Sequence, residues 1–217
     1  MSRACLLIHG FTGGPYEVEP LAAHLALRGA DCFTPTLAGH GGPLSELRGI
    51  PRQEWLASAS AEAERIAERY GAFDCVGFSM GGLIAAYLAN RYPVRKLVLL
   101  NAAVIYISPK RFLENAIEVI RNGHVEDMRI KSETPVKAVF EFMRLVRELK
   151  PEIGLVRAPT MIVQGDRDEI VHPKSAAYLD HHMNTEKELH IFPNSRHMIC
   201  LGPEAKELFE KVERFLM

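Results

Sequence analysis

The sequence predicts a parallel, doubly wound α/β sheet with helices on both of its faces, and three observations lead there. Short apolar runs alternate with longer helical patterns along most of the chain. The apolar runs are continuous instead of alternating with polar residues, as strands covered on both faces require. The residues best suited to chemistry fall on loops directly after those runs, where open α/β sheets bind ligands.

Taken in order, the first strand is expected over 4–8, and it leads straight into a glycine-rich loop that opens with His9-Gly10. A helical pattern over 17–28 connects it to a second strand over 31–34. Residues 54–70 carry apolar positions at Trp55, Leu56, Ala59, Ala63, Ile66 and Ala67, the stripe of an amphipathic surface helix. Strands over 73–76 and 97–100 flank a helix over 82–91. Strands over 160–163 and 188–191 each precede a helix, over 175–182 and 203–217. The interval 104–152 breaks the alternation, because it holds no convincing strand. It has helical patterns over 111–121 and 135–149, joined by a polar stretch near 123–133, and reads as a small helical cap inserted into one domain spanning 1–217. The cap helices present apolar faces at Phe112, Ala116, Val119 and Ile120, and at Val139, Phe140, Met143 and Val146. Core packing explains most of these residues.

Composition narrows the function classes. A chain of 217 residues, 47% hydrophobic and 24% charged, is ordinary globular material. With 26 basic against 27 acidic residues and a formal net charge of −1, it has no cationic excess for nucleic acid or anionic membranes. Cys5, Cys32, Cys75 and Cys200 form no CxxC and no zinc-ligand spacing, and free thiols in a reducing compartment fit best. The first apolar run is too short for a signal-peptide core or a membrane span, which makes a cytoplasmic protein the expectation.

Four motifs carry chemistry. Gly77-Phe78-Ser79-Met80-Gly81 is a G-x-S-x-G pattern between a strand and a helix. A nucleophile on such a tight turn needs small neighbours, and the turn aims the helix N-terminus at a developing oxyanion. The loop His9-Gly10-Phe11-Thr12-Gly13-Gly14-Pro15 can turn a backbone N–H towards that nucleophile, with His9 bracing the loop. Gly165-Asp166-Arg167-Asp168-Glu169 follows a strand and offers an acid to fix an imidazole tautomer. Asp166 and Asp168 are both candidates, and chemistry alone leaves Glu169 open. Ser195-Arg196-His197-Met198 follows the sixth strand, so a serine, an acid and a histidine occur in that order, each on a loop after a strand.

With these motifs in hand, the chain resembles the α/β-hydrolase superfamily, and within it the small bacterial carboxylesterases and monoacylglycerol lipases that share an HGFTG loop. HGFTG, LAGHG at 37–41, GFSMGG, APT at 158–160, GDRDEIVHP and SRHMI carry the resemblance over nearly the whole chain. It implies that Ser79, Asp168 and His197 form a catalytic triad, with the second Asp of G-D-x-D as the acid. The backbone N–H groups of Phe11 and Met80 then form the oxyanion hole. His40 of LAGHG either touches substrate or braces its loop, and Phe112, Phe140 and Met143 of the cap are candidates to meet the acyl group. Two leading strands of the full fold are missing, which leaves a six-stranded, wholly parallel sheet. The implied activity is hydrolysis of carboxylic esters of short to medium acyl chain, including monoacylglycerols. Ester and water are the partners, and no metal or organic cofactor is needed. A thioesterase or amidase would share this triad, and a binding protein on the same fold could retain it.

Overall fold

All six apolar runs form strands in the computed structural model, which describes residues 3–105 and 134–217. The strands are β1 (Arg3–Ile8), β2 (Ala30–Phe33), β3 (Phe73–Phe78), β4 (Val94–Leu100), β5 (Thr160–Gly165) and β6 (Lys187–Phe192). They make one six-stranded sheet in the order β2-β1-β3-β4-β5-β6, and every neighbouring pair is parallel. Most strands run a residue or more beyond the apolar runs, because ladder hydrogen bonds need backbone, whatever the side chain.

Continuous apolar strands are explained by two separate cores. Ala4, Leu6 and Ile8 of β1 point to one face, where they pack with α2 (Arg52–Tyr70), α3 (Met80–Ala89), α4 (Val136–Leu149) and α5 (Lys174–His182). Cys5 and Leu7 point to the other, against α1 (Glu19–Ala26) and α6 (Ala205–Leu216). All four cysteines are free thiols.

Two helical expectations are corrected. The pattern over 17–28 is split into a 3₁₀ turn, Pro15–Glu17, and helix α1. Pro20 is the reason: it has no N–H to give a preceding turn, so it is tolerated only in the first turn of a new helix. In the helix expected over 135–149, the buried face of α4 is Ala138, Val139, Phe142, Leu145, Val146 and Leu149. A 3.6-residue period through 138, 142, 145 and 149 turns Phe140 outward, where it is 56% exposed, while Met143 is half-buried against the core. Phe112, the helical pattern over 111–121 and the polar stretch lie outside the described residues.

The strand order places the functional loops. From β1 the chain moves outward to β2, then returns to the other side of β1 to lay down β3. The loops after β1 and β3 therefore diverge at the carboxyl edge of the sheet and leave a crevice between them. The glycine-rich loop and Ser79 stand on its two sides.

Candidate active site

Ser79 joins β3 directly to α3 with φ 54° and ψ −117°, a backbone conformation that side chains avoid. Its surroundings hold it there. Ser79 N–H donates to the Leu100 carbonyl at 2.9 Å, and the Ser79 carbonyl accepts from Gly82 and Ala103 N–H, each at 3.1 Å. The flanking glycines are required by close approach of backbone. A Cβ on Gly77 would stand 2.3 Å from the Gly81 carbonyl oxygen, and one on Gly81 would stand 2.2 Å from that of Ile8. The Ser79 side chain makes no capping bond to α3, which leaves its hydroxyl free for chemistry.

Two backbone N–H groups of the loops after β1 and β3 make no hydrogen bond among the described residues. Met80 is the first residue of α3, so its N–H has no acceptor within the helix. The Phe11 N–H donates to no group among the described residues. His9 braces this loop as expected: it is fully buried, its Nδ1 lies 2.8 Å from the Gly10 carbonyl, and Leu37 N–H donates to its Nε2 at 3.1 Å. A ring that accepts at Nε2 and donates at Nδ1 is neutral. Burial, with His40 as a lesser cause, pushes its pKa down to about 4.

His197 Nδ1 lies 2.9 Å from Asp168 Oδ2, with both side chains buried. Asp168 Oδ1 accepts from the N–H groups of Ile170 and Val171, each at 2.9 Å, which locks the carboxylate. Asp166, two residues away, points to solvent. The His197 ring packs on Phe78, the neighbour of Ser79, with centroids 4.9 Å apart. Burial by itself lowers the His197 pKa. The charge and hydrogen bond of Asp168, with Glu17 and Glu169 behind them, outweigh that and raise it above its ordinary value.

Sequence patterns miss three residues here. Asn101 has φ 45°, donates to the carbonyls of Arg196 (3.1 Å) and His197 (2.8 Å), and accepts from Gly165 N–H (2.7 Å). It ties the end of β4 to both the acid and the histidine loops. Asn101→Ala leaves these buried backbone groups unpaired and should cost about 2–4 kcal/mol in chemical denaturation. A loss below about 0.5 kcal/mol would refute that account. Phe142 stacks on Phe11, with centroids 4.8 Å apart and planes 8° apart, and Trp55 flanks Phe11 at 5.7 Å. It therefore holds the place that the sequence pattern gave to Phe140. Glu17 is the third. His40 stands behind this layer: its Nδ1 meets its own loop at the Ala38 carbonyl, 3.0 Å away, and its ring abuts His9 and Trp55. Among the described residues, no three His, Cys, Asp or Glu side chains converge as metal ligands would, and no helix is long and apolar enough to cross a membrane.

Comparison with known proteins agrees with this geometry. A carboxylesterase of Bacillus subtilis (strain 168) is 26% identical over 226 residues, which cover 99% of this chain and 92% of the relative. A thermostable monoacylglycerol lipase of Bacillus sp. (strain H-257) is 28% identical, covering 97% of this chain and 88% of the relative. A solved structure from LipS and LipT, two metagenome-derived lipolytic enzymes, superposes with a TM-score of 0.80 at 25% identity, over 99% of this chain and 94% of that one. The model of the alpha/beta hydrolase family matches residues 5–210, nearly the whole sheet and every loop described above, and the chain belongs to that family.

Proposed function

We propose that the protein is a serine-dependent carboxylic ester hydrolase whose catalytic triad is Ser79, Asp168 and His197. The observation that carries this reading is the buried 2.9 Å contact between His197 and Asp168, on a ring packed against the turn that presents Ser79. Asp168 holds the proton on Nδ1, so Nε2 is free to accept the Ser79 proton as its oxygen attacks an ester carbonyl. The Phe11 and Met80 N–H groups receive the oxyanion, at about 3 kcal/mol each if typical of such donors. His197 then protonates the departing alcohol, and water cleaves the acyl-enzyme by the same path.

Relatives named carboxylesterase and monoacylglycerol lipase support carboxylic esters, monoacylglycerols included, as the substrate class, and short to medium acyl chains are the range expected of it. Phe11 and Phe142, both nearly buried, stack on each other at the glycine-rich loop, surroundings that suit an acyl group better than a charged one. Turnover of p-nitrophenyl esters from acetate to palmitate, each compared with the matching thioester and amide, tests the reading. Multiple turnovers with an optimum at short or medium chain length support it. A single stoichiometric release of product would mark a binding protein instead, and faster thioester or amide cleavage would reassign the substrate.

The pH dependence has a definite sign. Activity requires neutral His197, and its pKa is raised above 6.5, so kcat/KM should begin to fall on the acid side at a higher pH than an ordinary imidazole would give. A rate unchanged from roughly pH 8 to pH 4 would contradict a histidine base.

A further inference from the structure

Glu17 is an acid that the mechanism above does not use, although it stands inside the site. Its side chain is 8% exposed, and it closes the 3₁₀ turn Pro15–Glu17, from which it points back into the glycine-rich loop. Its Oε2 accepts Gly10 N–H at 2.7 Å. The carboxyl group fills the room a side chain at Gly13 would need: a Cβ there would stand 2.1 Å from Glu17 Cδ. A Cβ on Gly10 would lie 3.2 Å from both Glu17 Oε2 and Ser79 Cβ, so the acid and the nucleophile flank one glycine.

These contacts have a consequence one residue further on. The Gly10 carbonyl and the Phe11 N–H belong to a single planar trans peptide unit, and they point in opposite directions. His9 Nδ1–H holds the carbonyl side of that unit, and Glu17 holds the N–H at the other end of Gly10. With both polar groups of a conformationally free residue anchored, the direction of the Phe11 N–H is set.

We propose that Glu17 is a positioning residue of the oxyanion hole: its buried carboxyl group anchors Gly10 so that the Phe11 N–H faces the reacting carbonyl. The proposal rests on the ester-hydrolase reading and adds a residue to it. The groups that face His197 are Asp168 and Glu169 from the loop after β5 and Glu17 from the loop after β1, and those that face Glu17 are His197 and Cys200. Burial raises Glu17 to about 7, with the Gly10 N–H and His197 pulling the other way, so its charge changes in the working range of the site.

The test compares wild type, Glu17→Ala and Glu17→Gln on p-nitrophenyl butyrate, with Ser79→Ala as the control and circular dichroism to verify folding. Glu17→Ala should lower kcat about 100-fold, a loss typical of one misplaced oxyanion donor, with KM changed less than about threefold. Glu17→Gln keeps an oxygen for Gly10 N–H, so it should recover most of kcat. A residue that only supported the fold would not lower kcat at nearly constant KM and then be rescued by the amide. A folded Glu17→Ala variant with kcat within about threefold of wild type would overturn the proposal. So would a folded Glu17→Gln variant whose kcat falls about 100-fold although its amide oxygen is kept, and that arm decides alone if the alanine variant fails to fold. Absence of Ser79-dependent turnover in wild type would instead remove the ester-hydrolase reading itself.

Discussion

Ser79→Ala is expected to lower kcat for p-nitrophenyl esters by at least about 10⁴-fold and to leave the fold intact. The substitution removes the one oxygen that can bond to the acyl carbon, while the Phe11 and Met80 N–H groups and the His197–Asp168 pair stay in place. What remains is the modest acceleration from binding and the oxyanion site. Little stability should be lost, since the serine hydroxyl does not cap α3 and alanine adopts the φ of 54° no less readily than serine. Initial rates under substrate saturation measure the effect, and mass spectrometry of wild type quenched early should show an acyl adduct on Ser79. A variant retaining a tenth of the wild-type rate, about 1.4 kcal/mol in barrier height, would exclude Ser79 as the nucleophile.

Asp168→Asn should be nearly as damaging, about 10⁴-fold in kcat, and the hydrogen bonds show why. Oδ1 is claimed by the Ile170 and Val171 N–H groups, so an asparagine must keep its lone oxygen there and turn its NH₂ towards His197. Two donors then face each other unless the ring moves its proton to Nε2, the nitrogen that has to receive the serine proton. The loss should lie in kcat with KM little changed. Retention of more than about 1% of kcat would mean that another group, with Glu169 the nearest acid in sequence, orients the ring. The parallel substitution Asp166→Asn, at an exposed position, should be silent.

What could be read from the sequence followed a physical division. Strands buried on both faces and a serine between obligatory glycines leave local signatures, because each is dictated by its immediate neighbours. The choice of Asp168 needed the resemblance, and the structure adds a reason: of the two aspartates it is the buried one, fixed by two N–H groups of the loop that follows it and in contact with His197. Asn101 and Glu17 left no signal, since their partners at 165, 196 and 197, or at Gly10, are set by tertiary contacts. An asparagine at the end of a strand and a glutamate after a proline look like ordinary turn residues. The α4 face was mis-phased for a related reason. Phe140 and Phe142 are equally apolar, and only the docking of the helix on Phe11 decides which one turns inward.

The sheet order has a consequence for the chain as it is made. Ser79 follows a central strand, whereas His197 follows β6, which among the described residues pairs with β5 alone and so docks after the strands before it. On the proposed mechanism, a nascent chain presents its strained serine before the histidine that would activate it has been made, and an N-terminal fragment ending short of His197 should not turn over ester. On that mechanism, docking of the edge strand is the step that brings the histidine to the serine.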